Sequence, residues 1–139
     1  MKMAVVEELI RAEKTGEISF GNYLLETKGK LDNFESAGDI YKVKTCKEIT
    51  KLEKNGLMIY ESVPGTTVTG LCETENGVKF TVEGANDAQI TLELEDEAEY
   101  CVNINGEEAG SVKTNLGGKL TISVELSEGE QSSVIVEKK

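Results

Sequence analysis

Carboxylates are the most abundant side chains in this sequence that could take part in chemistry. The densest group is Glu93, Glu95, Asp96, Glu97 and Glu99. The four glutamates alternate with other residues, so a straight strand would project them from one face. Such a row could bind Ca²⁺, but no DxDxDG-type loop is present. A solvated strand face that keeps a sheet edge from pairing is the favoured interpretation, and we predict no metal site.

The only concentration of positive charge lies in the first half of the chain, where five lysines occur within thirteen residues: Lys42, Lys44, Lys47, Lys51 and Lys54. Lys42 and Lys44 share parity, so they project from one face of a strand. A functional interpretation is a site for an acidic ligand or partner, such as the acidic half of a neighbouring copy. The alternative is a solvated strand face, which is the usual meaning of a charge run.

Several chemistries are excluded by composition. The chain has no histidine, so serine and cysteine triads with a histidine base and HExxH zinc sites are absent. No glycine-rich loop opens a helix, which excludes the common nucleotide cradles. The three cysteines, Cys46, Cys72 and Cys101, are an odd set that indicates reduced thiols packed in strands. We predict a protein without a cofactor, a catalytic residue or enzymatic activity.

The net charge of −11 is unevenly distributed. Residues 1–64 carry ten basic and eleven acidic side chains, whereas residues 65–139 carry five and fifteen. The second half should repel nucleic acid and anionic membranes, so neither is expected as a partner. The apolar run from Met3 to Val6 is shorter than the roughly 7–15 residues of a secretory h-region. No run approaches the ~20 apolar residues of a membrane span. A cytoplasmic protein is the expectation.

The second half of the sequence has the clearest strand pattern. Apolar residues alternate through Tyr100, Val102 and Ile104 and again through Leu120, Ile122, Val124 and Leu126. Turn signals separate seven predicted strands at 66–73, 78–83, 88–94, 99–105, 108–114, 119–126 and 132–137, the last after a turn at Glu128–Glu130. Seven short strands at this spacing are typical of a β-sandwich. The sequence does not distinguish meander from Greek-key connections.

The only proline, Pro64, lies where the charge changes. We predict an all-β protein with a near-neutral, antiparallel N-terminal β-subdomain at 1–63 and an acidic seven-strand β-sandwich at 64–139. Residues 4–14 could be a helix or a strand, and a hairpin with its turn at Lys14–Glu17 is favoured. Residues 26–39 should be a loop or a short strand, and 40–46 a strand.

A second hairpin is predicted at 47–62, because Asn55-Gly56 suits a two-residue turn with positive φ at both positions. This turn pairs Lys54 with Leu57 and places Leu52 opposite Ile59. The other face then carries Ile49, Met58 and Tyr60, so both faces are apolar and the second must be covered. The covering element could be the acidic half, the N-terminal hairpin or another copy. The candidate interface is therefore Ile49, Met58, Tyr60, Lys42, Lys44 and Lys51.

Two resemblances bear on function. The segment SVKTNLGGKLTISVELSEGE is similar to the last strands of small accessory β-sandwich modules of polysaccharide-active and cell-surface proteins. The phrases ISFGNYLL, DIYKVKTCKEITKLEKNGLMIYESVPGT and GVKFTVEGANDAQITLELE resemble small, uncharacterised proteins of anaerobic gut bacteria, some of which carry the label "endosialidase". Sialidases use an arginine clamp on the substrate carboxylate, and Arg11 is the sole arginine here. The resemblance therefore carries no catalytic residue to this sequence.

These observations favour a non-enzymatic protein that works by binding or self-assembly, with itself (as a homo-oligomer) or another protein as partner. The alternative is a carbohydrate-binding or accessory module. Its surface would need exposed aromatic rings, and Tyr23, Tyr41 and Tyr60 could form a small platform if they are not needed for the core. A more distant alternative is a glycoside hydrolase that uses paired carboxylates.

Overall fold

A computed structural model describes residues 5–127 and 130–139. This part of the chain contains no helix and thirteen strands, so the predicted all-β class is confirmed. The strands are β1 Ile10–Ala12, β2 Ile18–Phe20, β3 Gly29–Ser36, β4 Asp39–Thr45, β5 Thr50–Lys54, β6 Leu57–Val63, β7 Thr67–Thr74, β8 Gly77–Glu83, β9 Ala88–Glu93, β10 Glu99–Ile104, β11 Glu107–Lys113, β12 Lys119–Val124 and β13 Gln131–Lys138.

The strands form two antiparallel sheets that pack as a sandwich. The seven-stranded sheet has the order β1-β2-β7-β8-β13-β10-β11, and the six-stranded sheet has the order β12-β9-β6-β5-β4-β3. The chain crosses from one sheet to the other several times, between β8 and β9 for example. The ranges predicted as two domains, 1–63 and 64–139, each contribute strands to both sheets and residues to one hydrophobic core.

Most predicted elements are present. The seven strands predicted after Pro64 correspond to β7–β13, and β1 pairs with β2 as the favoured hairpin, with Ile10 opposite Phe20. Residues 26–39, for which the sequence predicts a loop or a short strand, contain the eight-residue strand β3 at the edge of the six-stranded sheet. Ala4 of the ambiguous segment 4–14 and residues 128 and 129 of the predicted turn lie outside the described residues.

The Asn-Gly turns form as predicted. Asn55 and Gly56 have φ values of 52° and 84°, and Asn105 and Gly106 have 55° and 84°. These conformations suit a two-residue hairpin turn, and asparagine and glycine tolerate them best. The Asn55 side chain also accepts a hydrogen bond from the Ile40 N–H at 2.9 Å, which ties the β5–β6 turn to β4.

The predicted register of the β5–β6 hairpin is wrong beyond its second pair, Glu53–Met58. Lys54 lies opposite Leu57 as expected, but the register shifts between Leu52 and Glu53, and Leu52 faces Tyr60 rather than Ile59. The extra residue on β6 is a β-bulge, which turns the following side chains to the opposite face. Tyr60 therefore enters the core.

Tyr60 lies at the centre of the sandwich. Its ring makes edge-to-face contacts with Phe20 and Phe80, with centroids 5.1 and 5.7 Å apart, so residues from β2, β6 and β8 meet there. Its hydroxyl lies 2.8 Å from the Thr66 hydroxyl, which also bonds Ser62 at 2.8 Å. Burial, the larger influence, raises the pKa of Tyr60 far above its ordinary value, so the hydroxyl stays neutral.

Candidate functional site

A row of lysines crosses three neighbouring strands of the six-stranded sheet. Lys30 on β3 lies opposite Lys44 on β4, and Lys44 lies opposite Lys51 on β5. Directly opposite residues of an antiparallel sheet project from the same face. Leu52, beside Lys51, is fully buried, so alternation directs the lysines to the outer face of the sheet.

The rest of this row continues without further lysines. Lys51 lies opposite Glu61 on β6, and Glu61 lies opposite Thr91 on β9. Positive charge is therefore concentrated at the β3 side of the sheet. We refer to the group of lysines on and beside β3–β5 as the lysine face: Lys28, Lys30, Lys42, Lys44 and Lys51.

Mutual repulsion is evident at Lys44, the central member of the lysine face. Its pKa lies below the ordinary value of a lysine, first because of Lys30, then because of Lys28, with smaller effects of desolvation, Lys51 and Lys42. Like charges directly opposite each other destabilise a sheet. Within the described part of the chain, no salt bridge neutralises any of these five lysines. A carboxylate ligand would relieve this repulsion.

A second row lies beside the first on the same outer face. Lys42 faces Glu53, and Glu53 faces Met58, which is half-buried. The structure thus brings Lys42, Lys44, Lys51 and Met58 of the predicted interface onto one surface. The apolar side chain of Met58 and the carboxylate of Glu53 set the boundary of the lysine face toward β6.

The other two residues of the predicted interface lie elsewhere. Tyr60 is 0% exposed, so the prediction that it lies on the outer face is wrong. The bulge in β6 directs its side chain into the core. Ile49 is half-buried in the β4–β5 turn, where its carbonyl accepts a hydrogen bond from the Cys46 N–H at 2.9 Å. The second apolar face predicted for the 47–62 hairpin is therefore reduced to Met58 and its neighbours.

Sequence reasoning missed Lys28 and Lys30. They lie near Lys44 because residues 29–36 form a strand that pairs with β4. Lys28, just before β3, and Lys30 within it share parity, and this indicates a common face once the segment is a strand. Conversely, Lys47 and Lys54 of the predicted lysine run bind carboxylates: Lys47 bonds Glu26 at 2.6 Å, and Lys54 bonds Glu73 at 2.7 Å.

The predicted carboxylate row is split by the fold. β9 ends at Glu93 and β10 begins at Glu99, so Glu95, Asp96 and Glu97 occupy the intervening loop. With Glu73 and Glu75, several of these residues line an open cleft of about 700 Å³ at one end of the sandwich. Glu95 is bonded by Lys138 at 3.0 Å. No group of three or more acidic or cysteine side chains among the described residues is arranged to hold a metal ion.

A second cleft, of about 620 Å³, is lined by Tyr23, Leu24, Val63 and Pro64. Beside it, the Tyr23 hydroxyl donates a 2.6 Å hydrogen bond to Glu83, which is 3% exposed. All four tyrosines of the chain, Tyr23, Tyr41, Tyr60 and Tyr100, are buried. The tyrosines therefore pack in the interior instead of forming a platform for sugar stacking.

Comparisons with known proteins found no matching family model, no similar curated protein and no similar solved structure. In the described part of the chain there is no helix long and apolar enough to cross a membrane.

Proposed function

We propose that this protein is a non-enzymatic interaction module whose lysine face binds a carboxylate-rich segment of a partner polypeptide. The single observation that carries the proposal is the row Lys30–Lys44–Lys51, in which three positive charges lie side by side on neighbouring strands. Opposed like charges destabilise a sheet, and a bound ligand of opposite charge would remove this cost.

The chemistry of the lysine face favours carboxylates that can adapt to its spacing. Lysine is a compact point charge on a flexible stem, and it lacks the fixed two-pronged geometry with which arginine binds phosphate or carboxylate. Neighbouring strands lie about 4.8 Å apart, so three opposed lysines span roughly 10 Å. An acidic segment with several side-chain carboxylates can contact all three at once.

Nucleic acid is a poorer candidate, because the remainder of the chain is strongly acidic and the net charge is −11. A neutral glycan is also less favoured, because the lysine face contains no tyrosine ring on which a sugar could stack. The acidic surface of a second copy also has the required chemistry. Individual exposed ion pairs are weak, so we expect modest affinity and fast exchange.

The experiment is a titration of the isotope-labelled protein with an oligoglutamate peptide, followed by amide chemical shifts. The expected result is fast-exchange shifts confined to β3, β4 and β5, with Lys44 and its opposed neighbours changing most. A neutral oligoglutamine peptide of the same length is the control. If an anionic polysaccharide shifted these amides and oligoglutamate did not, the partner would be a glycan and the proposed polypeptide partner would be wrong. Shifts at the Tyr23 cleft alone would overturn the proposal.

A further inference from the structure

The four edge strands of the sandwich differ in how well they could accept another strand. An edge strand presents unpaired backbone groups, and proteins usually blunt it by shortening, bulging or charging it. β1 has only three residues. The β3–β4 pairing is interrupted between Leu31 and Phe34, where Asn33 has φ 58°. The β10–β11 pairing shifts between Val102 and Asn103, close to Gly110 with φ 120°.

β12, the remaining edge, is regular. It pairs with β9 through six successive residues without a register shift, and it has no neighbour on its other side. Its residues alternate between exposed and buried along the whole strand. Of the four edges in the described structure, β12 is therefore the one without a bulge or a short length to prevent strand addition.

The hydrogen bonds around β12 identify which backbone groups face its open side. The Gly118 carbonyl accepts from the Leu94 N–H at 2.7 Å, and the Leu126 N–H donates to the Asp87 carboxylate at 3.0 Å. Even-numbered residues thus direct their backbone groups toward β9, and the odd-numbered ones direct theirs away.

Part of the open side is closed by a loop. The Lys119 N–H donates to the Asn115 side chain at 3.0 Å, and the Lys119 carbonyl accepts from the Asn115 N–H at 3.2 Å. The backbone groups of Thr121, Ser123 and Glu125 on this side have no such partner among the described residues. The available edge is therefore about five residues long, with exposed side chains at all three odd positions.

This short edge is complementary to itself. If two copies of β12 pair antiparallel about a two-fold axis at Ile122, Thr121 of each copy lies opposite Ser123 of the other. Glu125 of each copy then lies just beyond the paired segment, close to the Lys119 side chain of the other copy. The Asn115 loop fills the backbone position beside Lys119, so opposite charges adjoin at both ends of the contact through their side chains alone. The Thr121–Ser123 pairs would form four backbone hydrogen bonds between the strands, because their backbone groups face the open side. Opposed hydroxyls and opposite charges both favour an antiparallel pair.

We propose that β12 is an interaction edge at which a second copy of this chain pairs antiparallel. The two six-stranded sheets then join into one twelve-stranded sheet, and the two lysine faces lie at its far ends. Because each copy uses the same surface, the contact closes as a symmetric dimer. This inference concerns a different surface from the lysine face and does not depend on its ligand.

A charge exchange tests this pairing. Lys119→Glu and Glu125→Lys, each alone, would bring side chains of like charge together at both ends of the contact. An equimolar mixture of the two variants would restore opposite charges at both positions. Lys79→Glu and Glu137→Lys make the same charge changes on exposed residues of the other sheet and serve as controls. The measurement is sedimentation at increasing protein concentration, near 0.15 M salt, where the Debye length is about 8 Å.

We expect the wild type and both controls to dimerise with similar dissociation constants. Each charge variant should have a dissociation constant roughly tenfold higher, a change of about 1.4 kcal/mol in the free energy of association. The mixture should recover or exceed the wild-type association. A second pair of variants tests the backbone contacts: Ser123→Pro removes an N–H on the open side and should abolish the dimer, whereas Ser123→Ala should retain it. A wild type that stays monomeric, single variants that dimerise normally, or a mixture without recovery would overturn the inference.

Discussion

Lys44 lies directly opposite Lys51 on the outer face of the six-stranded sheet, and Lys30 lies opposite Lys44 on its other side. Lys44 therefore has a positive neighbour on each adjacent strand. A strand pair that served only the fold would gain from a carboxylate at this position. The arrangement instead concentrates charge where a ligand could use it.

Lys44→Gln should stabilise the fold, because it removes repulsion from Lys30 and Lys51. The pKa of Lys44 is lowered in the folded state. Its charge thus opposes folding below that pKa, and the opposition disappears as the pH rises through it. The expected result is a higher unfolding midpoint than wild type at pH 7, with the difference vanishing above about pH 10.5, where Lys44 is neutral in both states. Thermal melts across this pH range provide the measurement.

The control for that prediction is Lys54→Gln. A hydrogen bond from Lys54 to Glu73 is the first cause that raises the pKa of Lys54 in the folded state. Its contribution is favourable at neutral pH and is lost as the pH rises through the raised pKa. Lys54→Gln should therefore lower the unfolding midpoint at pH 7. Equal effects of the two substitutions would contradict the electrostatic difference between these lysines.

Titration of the side-chain amines should show a lower pKa for Lys44 than for Lys54. Because neighbouring lysines lower the pKa of Lys44 and Glu73 raises that of Lys54, Lys44 should lose its proton at the lower pH. Oligoglutamate should move the Lys44 titration upward, since a bound carboxylate favours the charged amine. NMR of the lysine side chains measures both effects. A Lys44 titration above that of Lys54 in the free protein would refute the described charge environment.

Tyr60→Phe should destabilise the protein by about 0.5–1.5 kcal/mol, because it removes the buried hydrogen bond to Thr66. Tyr60→Ala should cost roughly 3–5 kcal/mol, as expected for a large side chain deleted from a packed core. Leu57, which is 63% exposed on the same strand, offers a control, and Leu57→Ala should change stability by less than about 0.5 kcal/mol. Urea unfolding measures all three. Comparable losses at positions 57 and 60 would contradict the burial of Tyr60 by the bulge.

Gly65→Ala should be strongly destabilising. A Cβ atom at Gly65 would lie 1.8 Å from the Cys46 carbonyl oxygen, a backbone atom that cannot move away freely. The cost should be at least about 1–3 kcal/mol, as for an overpacked core. Gly117 provides a matched comparison, because the nearest atom to its added Cβ is a side-chain oxygen at 3.5 Å. Equal destabilisation by Gly117→Ala and Gly65→Ala in urea unfolding would contradict this explanation, because only Gly65 lies against the Cys46 carbonyl oxygen.

Local patterns predicted much of this fold. Asn55-Gly56 and Asn105-Gly106 specify their turns through backbone preference, and the alternation of Leu120, Ile122 and Val124 specifies β12 and its buried face. These features depend only on neighbouring residues, so a single sequence contains the necessary information.

The remaining features depend on contacts between distant segments. A single inserted residue at the β6 bulge reversed the predicted facing of Tyr60, and no local pattern marks that position. The pairing of β2 with β7 and of β6 with β9 mixes strands from both sides of Pro64, which the change in charge had suggested as a boundary. Lys42, Lys44 and Lys51 were recognised from the sequence, whereas Lys30 joined them only through strand pairing.

The most direct test of the lysine face is the affinity of oligoglutamate for the triple variant Lys30→Gln, Lys44→Gln and Lys51→Gln, relative to wild type. The matched control is Lys14→Gln, Lys79→Gln and Lys113→Gln, which removes the same charge from exposed lysines elsewhere. At low salt we expect the first variant to bind roughly tenfold more weakly and the control to bind nearly as well as wild type. Equal losses in both variants would show that net charge alone governs binding, and would contradict a specific lysine face.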